Sequence, residues 1–257
     1  MPCLKHFASA LLVSMCLLGE QIPVKEQQGA IDGFLLLRDA AGKVIALGDE
    51  TESVRGDRIY SRLVFHFRDG SIDDETAYFT QQKVFRLLQD HHIQQGPSFP
   101  KPVDVSLDVP SGKVIWHEWK DGKDIRKTEY MNLPTDLANG LISLVVENFP
   151  REPQMTVSYL AMSSKPRVVK LLVRPDGQDE FEVGGFKRRA ERFNVHIEIG
   201  GLAGMAASLV GKQPDDIKLW VVKSDVPTFI RMRGALYEGG PVWTMEQAAP
   251  TWAETAK

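Results

Sequence analysis

The chain has 257 residues, 43% of them hydrophobic, with 31 basic against 34 acidic residues and a formal net charge of −3. That content supports a proper core in one large β-rich domain or two small ones. The charges are well mixed, so the chain offers no basic face to nucleic acid or to an anionic membrane.

The first nineteen residues read as a signal peptide. Lys5 and His6 give a short positive start, and Phe7 to Leu18 is an apolar run broken only by Ser9 and Ser14. Such a run has the length of a signal h-region and is short for a bilayer span. Export to the periplasm or the extracellular space is the expectation. Lipid anchoring at Cys16 is disfavoured by the bulky Met15 before it. Both cysteines, Cys3 and Cys16, lie in this leader. An exported mature chain would then have no disulfide, no thiolate zinc ligand and no thiol nucleophile. Residues 20–32 read as a flexible, polar lead-in, 33–247 as a single β-rich domain, and 248–257 as a loose tail.

From Gly33 onward the pattern is strand, turn, strand. Asp39 to Gly42 separates two short β-type segments as a hairpin loop. Asp69-Gly70 is the strongest two-residue hairpin signal in the chain. Gln81-Gln82 makes a short connection, Gly96 to Pro102 a stiff loop, and Ser111-Gly112 and Asp121-Gly122 two further turns. About eight strands of ordinary length precede Pro134.

Pro134 to Phe149 reads as a helix. Pro134 suits a first helical turn, Asp136 suits its positive end, and Pro150 stops continuation. Leu137, Ala138, Leu141, Ile142, Leu144, Val145, Val146 and Phe149 cover most of the circumference, so the helix must be enclosed. After it, strands are expected at Thr156–Ala161, Arg167–Arg174 and Phe181–Val183, with Pro175-Asp176-Gly177 as a turn. Ala190 to Ile199 alternates, with Phe193, Val195 and Ile197 on one side. Segments at 218–223, 228–232 and 242–245 close the chain. No fixed-period repeat points to a propeller. The predicted fold is mainly β: an antiparallel half-barrel or open barrel wrapped around one central helix at about 134–149.

The chemical inventory is mostly negative. There is no G-x-S-x-G elbow and no H-x-x-x-H pair. Gly204 to Lys212 approaches a phosphate loop, but its glycine spacing is too long and Gln213 stands where Ser or Thr should bind magnesium. One constellation comes from register. With a two-residue turn at Asp69-Gly70, Arg68 faces Ser71 and His66 faces Asp73 on a solvated side. Asp74 then falls on the apolar side with Leu63, Phe65 and Phe67. A tight turn at Gln81-Gln82 brings Asp74 near His91, and a slip of one residue brings it near His92. Such a pair shifts both partners' pKa values and suits acid–base work, or two ligands of a metal site with Glu75 or Asp104 nearby. The simpler reading is a hydrogen-bonded structural pair, with no catalytic residue, metal or cofactor assigned. Gly200 to Gly211 is long, apolar and uncharged. It reads either as a buried plug or as an exposed loop whose Leu202, Met205 and Leu209 contact a ligand or membrane.

FRDGSIDDET (Phe67 to Thr76), QGPSFPKPVDVS (Gln95 to Ser106), LPTDLANGL (Leu133 to Leu141), VGKQPDDI (Val210 to Ile217) and LYEGGPVW (Leu236 to Trp243) resemble segments of uncharacterised secreted bacterial β-rich proteins. The resemblance runs through most of the chain after about Asp57. It implies export and a single β-rich domain, and it brings no catalytic residue with it. More distantly, many strands cupped around one helix is similar to the periplasmic lipoprotein carriers, at the level of fold alone. The functional expectation is a non-enzymatic cell-envelope binding module for a lipid or other apolar ligand. The alternatives are a hydrolase or metal-dependent enzyme using Asp74 with His91 or His92, and a scaffold without a small-molecule site. The sequence gives no indication of the oligomeric state.

Overall fold

The computed structural model describes residues 20–120, 122–161, 165–183, 186–199 and 214–248. Eight strands come first: β1 (Ile31–Arg38), β2 (Val44–Arg55), β3 (Arg58–Phe67), β4 (Ile72–Gln81), β5 (Phe85–Gln95), β6 (Val103–Asp108), β7 (Lys113–Lys120) and β8 (Lys123–Tyr130). A short helix, α1 (Ile142–Glu147), follows. Six more strands complete the chain: β9 (Met155–Ala161), β10 (Arg167–Val183), β11 (Phe186–Glu198), β12 (Ile217–Val222), β13 (Thr228–Gly234) and β14 (Trp243–Gln247).

All fourteen strands belong to one antiparallel sheet, in the order β8-β7-β6-β5-β4-β3-β2-β1-β14-β13-β12-β11-β10-β9. Each strand pairs with its sequence neighbour except at two places. β1 pairs with β14 through Leu35 to Arg38, and β8 and β9 stay apart as the two edges. The fold is therefore mainly β and open, as the strand–turn pattern predicts.

The sheet is strongly rolled. Glu20 donates its N–H to Thr156 of β9, and two residues later the Ile22 carbonyl accepts from Phe85 of β5. In a flat sheet, ten strand spacings would hold these partners about 48 Å apart. Three residues reach only about 10 Å. The stretch expected as a flexible lead-in is thus fastened at several points: Ile22 is 1% exposed, and the N–H groups of Lys25 and Glu26 both bind Asn148 Oδ1.

The segment between β8 and β9 occupies the inner side. Its apolar residues are enclosed as the sequence predicts: Leu137, Ala138, Leu141, Val145 and Val146 are all buried. The predicted helix from Pro134 to Phe149 is corrected, because only Ile142–Glu147 is helical. Residues 136–139 instead run along the free edge of β9. Ser158 N–H donates to the Asp136 carbonyl, Ala138 N–H donates to the Ser158 carbonyl, and the Asn139 side chain bonds both N–H and C=O of Leu160. Gly140, at φ +64°, turns the chain from this edge pairing into α1. Covering an otherwise unpaired strand outweighs the modest gain from two more helical turns.

The expected turn at Pro175-Asp176-Gly177 is also corrected. β10 runs straight through it as one strand, with a register shift between Pro175 and Gln178 opposite β11. Gly177 supplies the left-handed backbone that such a bulge needs, at φ +105°.

Candidate functional site

Two local irregularities decide which groups meet. The β3–β4 hairpin closes with Phe67 N–H donating to the Ser71 carbonyl, and Gly70 adopts φ +87°. The loop is therefore Arg68-Asp69-Gly70, one residue longer than expected, and His66 faces Ile72 rather than Asp73. A one-residue slip moves every side chain to the other face. Asp73 consequently points inward and Asp74 outward. The second irregularity is a register shift between Tyr78 and Phe79 against β5. It reverses the alternation of β5, so that Phe85 and Leu87 are buried and then Asp90, His92 and Gln94 are.

The expected residues are thereby separated. Asp74 lies on the outer face and accepts two bonds from Arg62, at 2.9 Å from Nε and 2.6 Å from Nη2. His91 also faces outward, with Nε2 2.9 Å from Asp104 Oδ1. Beyond Asp104 stand His117, 4.0 Å away, and Asp124, 2.8 Å from His117 Nδ1. Only His92 faces inward, and its carboxylate partner is Asp73, at 2.7 Å. Leu202, Met205 and Leu209 lie outside the described residues.

The inner cluster is built from three elements. β4 contributes Asp73 and Glu75, β5 contributes Asp90, His92 and Gln94, and β9 contributes Tyr159. Gln94 Nε2 donates to Asp73 Oδ2 at 3.3 Å and to the Leu236 carbonyl at 3.0 Å. Glu75 accepts the backbone N–H of Gly140. Gly140 fits because it has no Cβ: one placed there would stand 2.7 Å from Ala77 Cβ and 3.4 Å from Asp90 Oδ1. Neither Asp90 oxygen has a protein partner, and the same holds for His92 Nδ1 and Trp116 Nε1.

The electrostatics follow from enclosure. Burial raises the Glu75 carboxyl, and the Asp73 charge adds to that. Burial, reinforced by Glu75, holds Asp90 well above the usual carboxylate range. Burial alone would lower His92, but the Asp73 carboxylate, with Glu75 and Asp90 beyond it, pushes it up to about 10. Tyr159 is raised well above its ordinary value by burial and by the same three carboxylates. Carboxylate charge around His92 thus favours its protonated form, while burial opposes each further negative charge in the cluster.

A second acidic group lies on the same face. Glu50, Leu63, Glu75 and His92 are successive partners across β2 to β5. Glu52 is pushed up to about 7 by burial and then by Glu50, and Glu147 of α1 up to about 8 by burial, with Glu50 and Glu52 adding. Glu147 Oε1 accepts the Phe229 N–H at 2.7 Å.

Sequence reasoning missed Asp73, Asp90 and Tyr159 as members of the cluster. The parity of Asp73, Glu75, Ala77 and Phe79 could have marked the buried face of β4. The reversal in β5 leaves no turn residue to announce it. Among the described residues no group of three or more His, Asp or Glu side chains stands ready to hold a metal ion, and no helix is long and apolar enough to cross a membrane. No protein-family model matches the chain, and no curated protein or solved structure shows significant similarity to it.

Proposed function

We propose that the chain is an exported, non-enzymatic binding module, a half-barrel cupped about its own inserted segment, that engages a lipid surface or another apolar ligand of the cell envelope. The observation that carries this reading is an apolar group on the outer face. Phe34 is 64% exposed and Leu47 60% exposed, and Leu47 is the direct cross-strand partner of Leu36. Outward positions of an antiparallel sheet are ordinarily polar. The inner side is filled by the chain's own core, which favours contact at the surface over a ligand enclosed by the sheet. Burying each such side chain in lipid contributes about 1.5–3 kcal/mol, enough for weak, reversible attachment. Leu202, Met205 and Leu209 are proposed as a second contact, and the apolar leader supports export.

Sedimentation with neutral phosphatidylcholine vesicles tests this. The parent should co-sediment, and the double change Phe34→Ser, Leu47→Ser should abolish that while leaving the melting temperature within a degree or two. A parent that stays in the supernatant at millimolar lipid overturns the reading.

A second reading rests on the buried His92–Asp73 contact of 2.7 Å, a histidine–carboxylate geometry that suits general acid–base work. It replaces the expected pairing of Asp74 with His91 or His92. Ester or amide hydrolysis by the purified chain, lost in Asp73→Asn, would favour an enzyme instead.

A further inference from the structure

A row of outward side chains crosses six strands. Tyr60, Tyr78, Gln89, Asp108, Lys113 and Tyr130 are successive cross-strand partners from β3 to β8. Tyr78 and Tyr130 are 44% and 71% exposed. They stand about 19 Å apart, four strand spacings. Beside Tyr78 opens a shallow cleft of about 460 Å³, lined by Gln89, Asp108 and Lys113, with Thr76, His91, Ser106 and Ile115 in the next row; Tyr130 stands beyond its far end.

The side chains of this cleft are pre-set. The Tyr78 ring is braced edge-on by Tyr60, with centroids 4.8 Å apart. Gln89 Nε2 donates to Asp108 Oδ2 at 2.9 Å, and the Ser111 N–H donates to Asp108 Oδ1 at 3.0 Å. Those bonds hold the Asp108 carboxyl below its usual range, so it stays an acceptor. The floor thus presents acceptors on Asp108 and Gln89, a donor on Lys113, and switchable groups on Thr76, His91 and Ser106.

The geometry points to a binding site for a neutral, hydroxyl-rich chain, an oligosaccharide, lying across β4 to β7 with one ring against Tyr78. An apolar ligand would cover the Gln89, Asp108 and Lys113 side chains without pairing them, at a cost per group. An anionic polymer meets one lysine, and that lysine stands opposite Asp108. A hydroxyl-bearing ring offers an apolar face to tyrosine and donor–acceptor groups at its edge to a planar amide and carboxylate, which matches what the cleft presents.

Isothermal titration of the whole chain with cellotetraose, chitotetraose and maltotetraose tests the assignment. At least one should bind with a Kd tighter than about 1 mM. Tyr78→Ala and, separately, Asp108→Asn should each weaken that binding tenfold or more without moving the melting temperature. The Phe34→Ser, Leu47→Ser variant should bind the sugar as the parent does, which keeps this site distinct from the apolar one. No binding of any of the three at about 10 mM overturns the proposal. Binding that survives both cleft substitutions overturns it equally, as does a preference for ionic over neutral sugars.

Discussion

Asp73 and Asp74 adjoin in the chain but face opposite sides of β4, and their ion pairs differ accordingly. The His92 and Asp73 side chains are 10% and 11% exposed, whereas Arg62 in the other pair is 43% exposed. Removing one partner of a buried pair leaves an uncompensated charge and costs about 3–5 kcal/mol. Removing one partner of a surface pair costs about 0–1 kcal/mol. Asp73→Asn is therefore expected to lower the unfolding free energy at pH 6 by about 3 kcal/mol or more, and Asp74→Asn by less than about 1 kcal/mol. Urea denaturation of the two variants reads the difference. Equal effects would mean that the hairpin register places both carboxylates in similar surroundings.

At the scale of elements, the edge of β9 rests on a side chain. Asn139 is fully buried, its Oδ1 2.8 Å from the Leu160 nitrogen and its Nδ2 3.1 Å from the Leu160 oxygen. Asn139→Ala leaves two backbone groups buried and unpaired, at about 1–3 kcal/mol each. A destabilisation of about 2–4 kcal/mol is expected, together with faster amide exchange at Leu160 in β9. Unchanged exchange there would refute the edge-pairing role. The same segment marks the limit of what could be read from sequence. Its apolar residues announced that it is enclosed, and the alternation in β11 announced Phe193 and Val195 as core. Local propensity at Pro134 to Gly140 could not reveal that Asn139 had a strand to pair with, because that partner is a tertiary fact. The site was legible to the extent that a histidine met a carboxylate on a buried face. Which carboxylate it met depended on one extra loop residue and one bulge.

Across the whole molecule, the inner face stores protons. Glu52 and Glu147 stand at about 7 and about 8, His92 at about 10, and Glu50, Glu75 and Asp90 are raised as well. Each holds its proton more tightly folded than unfolded. Its contribution is complete below the unfolded value and is lost as pH rises through the folded one. Carboxyls lowered by their partners, such as Asp179 and Glu246, act oppositely, but their loss falls below the ordinary carboxylate range. Stability should therefore decline from about pH 5 to about pH 10, most steeply near about pH 6–7, where the ranges of Glu52, Glu147 and His92 overlap. Chemical denaturation across that range measures it, and Glu52→Gln should flatten the slope. A stability maximum at pH 8 or above would contradict the enclosure of these groups.

The pairing of β1 with β14 has a kinetic consequence. Every other ladder joins strands that follow one another, so hairpins can form as the chain emerges. The seam through Leu35 to Arg38 waits for Thr244 to Gln247, more than two hundred residues later. Until then β1 stays an open edge in the middle of the future sheet, able to pair with another molecule. Loop closure over that distance precedes any reward from the seam, which places folding of this chain toward the slow, non-local end of the range. β1 and β14, distant in synthesis, finish side by side, while the opening of the sheet falls mid-chain. A permuted chain begun between β8 and β9 would place β14 before β1 in sequence, so that the seam would form between consecutive strands.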